Sequence, residues 1–247
     1  MRKPMMTFLS LLFFSASHTQ TKQIEVTWLG HAAFEIVSPG GTRILIDPFI
    51  KDNPKTPDGL KDLSRYKPNA ILVTHSHFDH VSDAVAIAKS SGASVISTFD
   101  FVSKLDIQDG QKLGGNVGGK FQIGDVTVAL VPALHSNEGD GRPLGFVVTF
   151  ADGRSLYHTG DTWIFGDMAL IQEIHRPNII LLCVGGGPFT QDPTTAALAI
   201  KKYFKPDVII PMHYMTWSPL ATLEDVQKAF RDDARVSMMK PGETRKF

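Results

Sequence analysis

Disulfides are the first thing this sequence lacks: its 247 residues contain one cysteine, Cys183. A single thiol closes no intramolecular bridge, so the fold cannot rest on a disulfide framework. Net charge is also missing, because 25 Lys+Arg balance 25 Asp+Glu. No basic run exceeds a short pair, and no nucleic-acid partner is expected. No apolar run has the length of a membrane span, so no stable membrane anchor is expected. Linkers, low-complexity tracts and solenoid-length repeats are absent after about residue 20. What remains is 43% hydrophobic and 20% charged, a globular composition long enough to bury a core without crosslinks. A metal in such a chain serves chemistry rather than folding.

The first residues have a character of their own. Arg2 and Lys3 precede the apolar stretch TFLSLLFFSA (residues 7–16), and the small residues Ser15, Ala16 and Ser17 follow where a peptidase would cut. This pattern reads as an export signal over residues 1–20, leaving 21–247 as one domain. The expected location is periplasmic or secreted, or cytoplasmic if the signal is not used. No cysteine follows the apolar core, which argues against a lipid anchor.

Short apolar runs then alternate with helical patterns. Residues 24–29, 33–37 and 42–46 read as strands joined by tight turns, the last turn marked by Pro39-Gly40-Gly41. NAILVT (69–74) is a buried strand, and 81–89 a helix ending near Gly92. Residues 126–131, 144–150, 154–158, 178–184 and 208–210 are further strands. Asp192-Pro193 opens a helix through Phe204, and Thr222 caps a last one to Phe230. Early hairpins followed by strand–helix alternation predict an α/β fold with two mixed sheets packed between helices; a single doubly wound sheet is the alternative.

The strongest chemical signal is His75-Ser76-His77-Phe78-Asp79-His80. His75 and His77 share one side of an extended segment, and Asp79 and His80 fall at the turn into a helix. Imidazole and carboxylate suit zinc, with manganese or iron as alternatives. Packing such a cluster without a metal invites repulsion between protonated rings. His135, Asp161 and His213 also sit just beyond strands, where α/β folds collect their chemistry. Together these are seven donors, enough for two divalent metals that share and acidify a water.

The spacing H-x-H-x-D-H, with the later His, Asp and His, resembles the metallo-β-lactamase superfamily. TWLGHAAFEI, LIDPF, Asn116-Val117-Gly118-Gly119, YHTGDTWIFGDM, GGGPFT and IPMHY resemble its UPF0173 metal-dependent hydrolases, relatives of ascorbate-phosphate lactonases. The similarity spans residues 24–247. It implies an αββα sandwich of two mixed β-sheets flanked by helices. It further implies that His75, His77 and His135 bind one metal, that Asp79, His80 and His213 bind another, and that Asp161 bridges, with Asp79, His80 and Asp161 taking the catalytic part. The chain departs from the group at Phe78 and Met215, both expected to line the pocket.

Other residues carry weaker expectations. His31 could orient substrate or fix a loop. Asp47 is expected to support a ligand imidazole. His158 reads as structural more than supporting. Gly185-Gly186-Gly187 could let a backbone approach substrate but lacks the Lys-Ser/Thr of a phosphate loop. Cys183 reads as a buried strand residue. The first functional expectation is a hydrolase acting on a small molecule, in which a metal-activated hydroxide attacks an ester, lactone, amide or phosphodiester. A di-iron oxidoreductase on the same ligands and a non-catalytic metal-binding protein are the alternatives. A homo-oligomer is left open.

Overall fold

The computed structural model describes residues 23–247. The expected export signal over residues 1–20 lies outside the described residues. Among the described residues no helix is long and apolar enough to cross a membrane.

Two mixed sheets pack face to face. The first contains β1 (Glu25–Gly30), β2 (Ala33–Val37), β3 (Arg43–Ile46), β4 (Ala70–Leu72), β5 (Ser94–Thr98) and β6 (Lys112–Gly115). The second contains β7 (Lys120–Ile123), β8 (Val126–Pro132), β9 (Leu144–Phe150), β10 (Ser155–His158), β11 (Ile179–Cys183) and β12 (Val208–Met212). A C-terminal strand, β13 (Thr244–Lys246), returns to the first sheet beside β1. The orders are β13-β1-β2-β3-β4-β5-β6 and β12-β11-β10-β9-β8-β7. In the first sheet pairing is antiparallel from β13 to β3 and parallel from β3 to β6. In the second it is parallel from β12 to β10 and antiparallel beyond. This is the expected two-sheet α/β sandwich, and the doubly wound alternative falls.

The two-residue period of a strand explains why the first sheet is covered on both faces. Ile44, Ile46, Ala70, Leu72 and Ile96 point into the core between the sheets. Their neighbours Leu45, Ile71 and Val95 point outward, onto Ala84, Ile87 and Ala88 of a helix. The second sheet is capped by a helix whose buried residues Ala196, Ala199 and Ile200 recur at helical spacing.

The helices are α1 (Phe78–Val81), α2 (Ala84–Ser91), α3 (Phe99–Val102), α4 (Met168–His175), α5 (Pro193–Tyr203) and α6 (Leu223–Ala229). Capping fixes their ends. The Asp192 carboxylate accepts from the amides of Thr194 and Thr195, Thr222 and Asp225 form a reciprocal capping box, and Gly92 ends α2 in the left-handed region. The single helix expected over 81–89 is two. Asp83 sits at the break, where its carboxylate accepts from the amides of Ile50 (2.7 Å) and Lys51 (2.9 Å). This ties the break between α1 and α2 to the loop after β3. Strands β5, β6, β7 and β13 were not expected; they are short, and β6 contains two glycines.

The end of the sandwich away from the strand carboxyl termini is stapled by one carboxylate. Asp125, in the β7–β8 turn, accepts from the Ser38 hydroxyl (2.6 Å), the Gly40 amide (2.9 Å) and the Thr42 hydroxyl, all in the β2–β3 turn. Burial pushes its pKa up, but these donors outweigh burial and hold it below the ordinary carboxylate range. Stability gained this way is present above the unfolded value, near pH 4, and is lost as pH falls through the lower folded value. Asp125→Ala is therefore expected to cost about 1–2 kcal/mol at pH 7, discounted for partial exposure. In urea unfolding as a function of pH, the gap from wild type should shrink below about pH 4.

Candidate metal centre

The seven predicted donors come from separate segments and meet at one end of the sandwich. Val73 continues the β4 edge by donating to Ile96, and the chain then delivers His75. His77 precedes the first turn of α1, which carries Asp79 and His80. His135 follows β8, Asp161 follows β10, and His213 directly follows β12. The site therefore sits where parallel strands end, on backbone held by both sheets.

Asp161 is at the middle. Its Oδ2 lies 2.9 Å from His213 Nε2, 3.5 Å from His80 Nε2 and 3.7 Å from His135 Nε2. Two sets flank it. Donors of His75, His77 and His135 lie within 4.8 Å of one another, as do donors of His31, Asp79, His80 and His213. His75 Nε2 and His77 Nδ1 are 3.0 Å apart. Metal–ligand bonds of about 2.0–2.2 Å place tetrahedral donor atoms about 3.3–3.6 Å apart, so the spacing suits ions between these groups. Hydrogen bonding points the same way. His80 Nε2 and both ring nitrogens of His213 are buried without a hydrogen bond of good geometry among the described residues, although Asp161 lies close. Buried polar atoms are rarely left so, and the two Nε2 atoms beside Asp161 are what a cation would satisfy. The residues fit a metal.

The far side of the cluster is held by a buried network. Asp47, fully buried, accepts from the Thr74 amide (2.7 Å) and the Thr74 hydroxyl (2.7 Å), and contacts His80 Nδ1 at 2.8 Å. With the Thr74 proton on Asp47, the Thr74 oxygen accepts from His75 Nδ1 at 3.0 Å. Both imidazoles then turn Nε2 toward the centre. The loop after β8 is tied down too: the Ser76 amide donates to Asn137 Oδ1 (2.9 Å), and the Glu138 amide donates to Ser76 Oγ (3.0 Å).

His31 fixes a second side. Its Nε2 meets Asp79 Oδ2 at 3.0 Å, its Nδ1 meets Thr216 Oγ1 at 2.8 Å, and its ring lies tilted against that of His213 with centroids 3.8 Å apart. It is fully buried and does not line the cavity, so of the two roles open to it the structure shows the one that holds neighbours. His158 bonds the Ala32 carbonyl and the Gly160 amide, away from the cluster, and is structural. Met215 does not line the site: it belongs to a separate groove with Met238 and Met239, because its left-handed backbone turns the chain away after His213. Phe78 does line it. Gly185 serves His213 rather than a substrate, since a Cβ there would collide with that imidazole, while Gly186 and Gly187 face a different depression. Cys183 is buried at the end of β11, and its thiol lies 3.7 Å from Asp161 Oδ1.

Backbone strain gathers here. Five non-glycine residues among those described have positive φ, and His31, Asp47 and His213 are three of them. Each turns a side chain into the cluster at a strand end, which is where such strain tends to be retained.

The electrostatics balance buried charges against one another. Burial disfavours a charged His80, but Asp161 and Asp47 outweigh it and lift its pKa well above the ordinary imidazole value. Burial would raise Asp161, but His213 and His80 hold it well below the carboxylate range. Burial and the neighbouring His213 push His31 down to about 3. Burial and His80 likewise keep His75 neutral. Asp161 is thus held ionised, while His31 and His75 are held as neutral imidazoles.

Sequence reasoning missed Thr74, Thr216, Trp217 and Phe189, which support the ligands or wall the cavity. No motif signals them. Asp47→Ala should remove both restraints at once, leaving the Thr74 amide and His80 Nδ1 without their acceptor. We expect a loss of about 2–4 kcal/mol in urea unfolding of metal-free protein; a loss below 1 kcal/mol would show that the network carries little.

Comparisons with known proteins agree with this geometry. The beta-lactamase superfamily domain matches residues 25–213. A UPF0173 metal-dependent hydrolase of Anaeromyxobacter dehalogenans is 42% identical over 235 residues, covering 88% of this chain and 85% of that protein. A UPF0173 metal-dependent hydrolase of Pyrobaculum islandicum is 40% identical, covering 90% and 99%. The solved structure of a metallo hydrolase from the hyperthermophilic archaeon Ignicoccus hospitalis superposes with a TM-score of 0.81 at 34% identity, covering 91% of this chain and 98% of that one.

Proposed function

The chain belongs to the beta-lactamase superfamily and, within it, to the UPF0173 metal-dependent hydrolases, and from that premise we propose that it hydrolyses a small molecule at a dinuclear centre. The observation that carries this reading is the position of Asp161 Oδ2, within 4 Å of imidazole nitrogens delivered from three different strands. His75, His77 and His135 would hold one ion, Asp79, His80 and His213 the other, and Asp161 would serve both. The mixture of imidazole and carboxylate donors suits zinc first.

When bound, such ions supply an acidified water and a clamp for negative charge on the substrate oxygen. The chain's own residues do the rest. Asp47 and Thr74 hold His80 and His75 by their far nitrogens, so ring orientation is fixed before substrate arrives. His31 engages Asp79 Oδ2 and fixes that carboxylate at the cavity wall. The Cys183 thiol donates toward Asp161 Oδ1, on the opposite side from the shared Oδ2. Asp79 is pushed up by burial but held below the ordinary range by His31 and His80, so it stays ionised as an anionic donor at the cavity floor. Phe78 and Trp217 stack with centroids 6.1 Å apart and form one wall of the cavity. In the reaction the oxygen of water bonds to the acyl carbon or phosphorus. The bond to the leaving oxygen or nitrogen breaks, and a proton from water passes to that leaving atom. Export from the cytoplasm would be set by residues 1–20.

Purified full-length protein is expected to contain about two transition-metal ions per chain. His77→Ala changes a partly exposed ligand and should reduce both metal content and turnover, the latter by at least about 100-fold. Metal analysis and assays of lactones, esters and phosphodiesters, with zinc and with manganese, read both effects. Undiminished turnover by metal-free protein would sink the proposal.

A further inference from the structure

The cavity over the centre has a volume of about 560 Å³, the size of a small-molecule site. Its floor and walls differ in kind. The floor is the candidate centre, and among the described residues its carboxylates are Asp79 and Asp161. The walls are Phe78, Leu134, Pro188, Phe189, Trp217 and Leu220. Among the described residues no lysine, arginine or glutamate lines it. Three of the walls are large apolar side chains left open to solvent: Phe78 is 60% exposed, Leu134 54% and Phe189 52%.

Three such residues around one mouth form a patch, not scattered exposure, and patches of this sort mark binding surfaces. The aromatic wall is built rather than incidental. Trp217 stacks on both His31 and Phe78, and Phe49 packs edge-on against Phe78 and Trp217. The wall is thereby anchored to the residue that holds Asp79. An apolar arm lying here would release water from both surfaces. A charged arm would lose its hydration and find no counter-charge. A phosphate group outside the reacting bond normally finds arginine, lysine or a fork of amide donors, and the walls offer none of the first two.

We infer that the cavity takes an uncharged acyl compound, an ester or lactone, whose non-reacting part is an apolar arm seated between Phe78, Leu134, Phe189 and Trp217. This rests on the metal-dependent hydrolase reading for the reacting end only; the arm is placed by the walls. Ester cleavage adds the oxygen of water to the carbonyl carbon, breaks the acyl C–O bond and sends a proton to the departing alkoxide. A lactone opens to one hydroxy acid.

The test has two arms. In the first, zinc-loaded full-length protein is assayed with p-nitrophenyl acetate, butyrate and hexanoate and with bis(p-nitrophenyl) phosphate. We expect kcat/KM to rise at least about tenfold from acetate to hexanoate, to exceed that for the phosphodiester, and to lose its chain-length dependence in Phe189→Ser and Leu134→Ser. Both substitutions fall on exposed side chains, and thermal unfolding checks that the fold survives. In the second arm, titration calorimetry compares two ketones that cannot be hydrolysed. 4-Phenyl-2-butanone should bind at least about tenfold more tightly than acetone, and Phe189→Ser should erase the difference. A flat chain-length profile, preference for the phosphodiester, or equal binding of the ketones overturns the inference. If no ester, lactone or phosphodiester is turned over with zinc or manganese, the hydrolase reading fails, while the calorimetric arm still decides the apolar recognition.

Discussion

The buried carboxylate of Asp47 is the constraint on which the candidate centre depends. It lies at the end of β3, in the left-handed region, with no solvent exposure. A carboxylate so placed must be met by donors or it would not be tolerated. Thr74 supplies two and His80 a third. Each donor lies where the chain has left β4 or entered α1, so one group sets the spacing between two parallel strands and the angle of the first helix. The Thr74 hydroxyl extends the control to His75. Two imidazoles of two different donor sets are therefore aimed by one residue that faces neither cavity nor solvent.

The two ends of the sandwich divide the work. At the end away from the site, Asp125 draws together turns from both sheets. At the other end the strands stop and the loops bring charged and neutral donors together against electrostatic cost. The core between holds these ends in register: Leu72, Leu181 and Ile210, from three of the strands that lead toward the site, are all fully buried. A rigid slab of this kind lets strained residues such as His31 and His213 persist, because their backbone is overdetermined. The His213 amide donates to the His31 carbonyl, which also accepts from the Trp28 indole. The strain is thus fixed by the same elements that bury the core.

How far the sequence reached follows from what its signals report. Strands buried on both faces, such as 178–184, and helices with caps, such as that opened by Asp192, were legible because periodicity and local hydrogen bonding decide them. All seven donors were placed near strand ends for the same reason, and the structure brings them together. The break between α1 and α2 was not legible, because it depends on Asp83 meeting the loop after β3, a contact across more than thirty positions. Trp217, Phe189 and Thr216 were missed for a related reason. Each sits on an irregular loop whose side-chain direction no period fixes. Met215 was misplaced because nearness to His213 suggested a shared surface, whereas left-handed backbone at both His213 and Met215 turns the chain away.

The contrast between floor and walls then follows from the physics of the donor set. Imidazoles and carboxylates gathered this closely gain most when water is scarce, because a low local dielectric strengthens both their attraction to a cation and their hold on one another. Apolar walls provide that scarcity. The same walls cannot repay the dehydration of a charged substrate arm, so the environment that favours a cation on the floor also selects what reaches it. Phe78 joins the two requirements. It lies between His77 and Asp79 in the first turn of α1, and its ring stacks on Trp217 at the wall. One residue inside the ligand cluster thus contributes to solvent exclusion and to the shape of the mouth, and a change there would alter selectivity without changing the ligands.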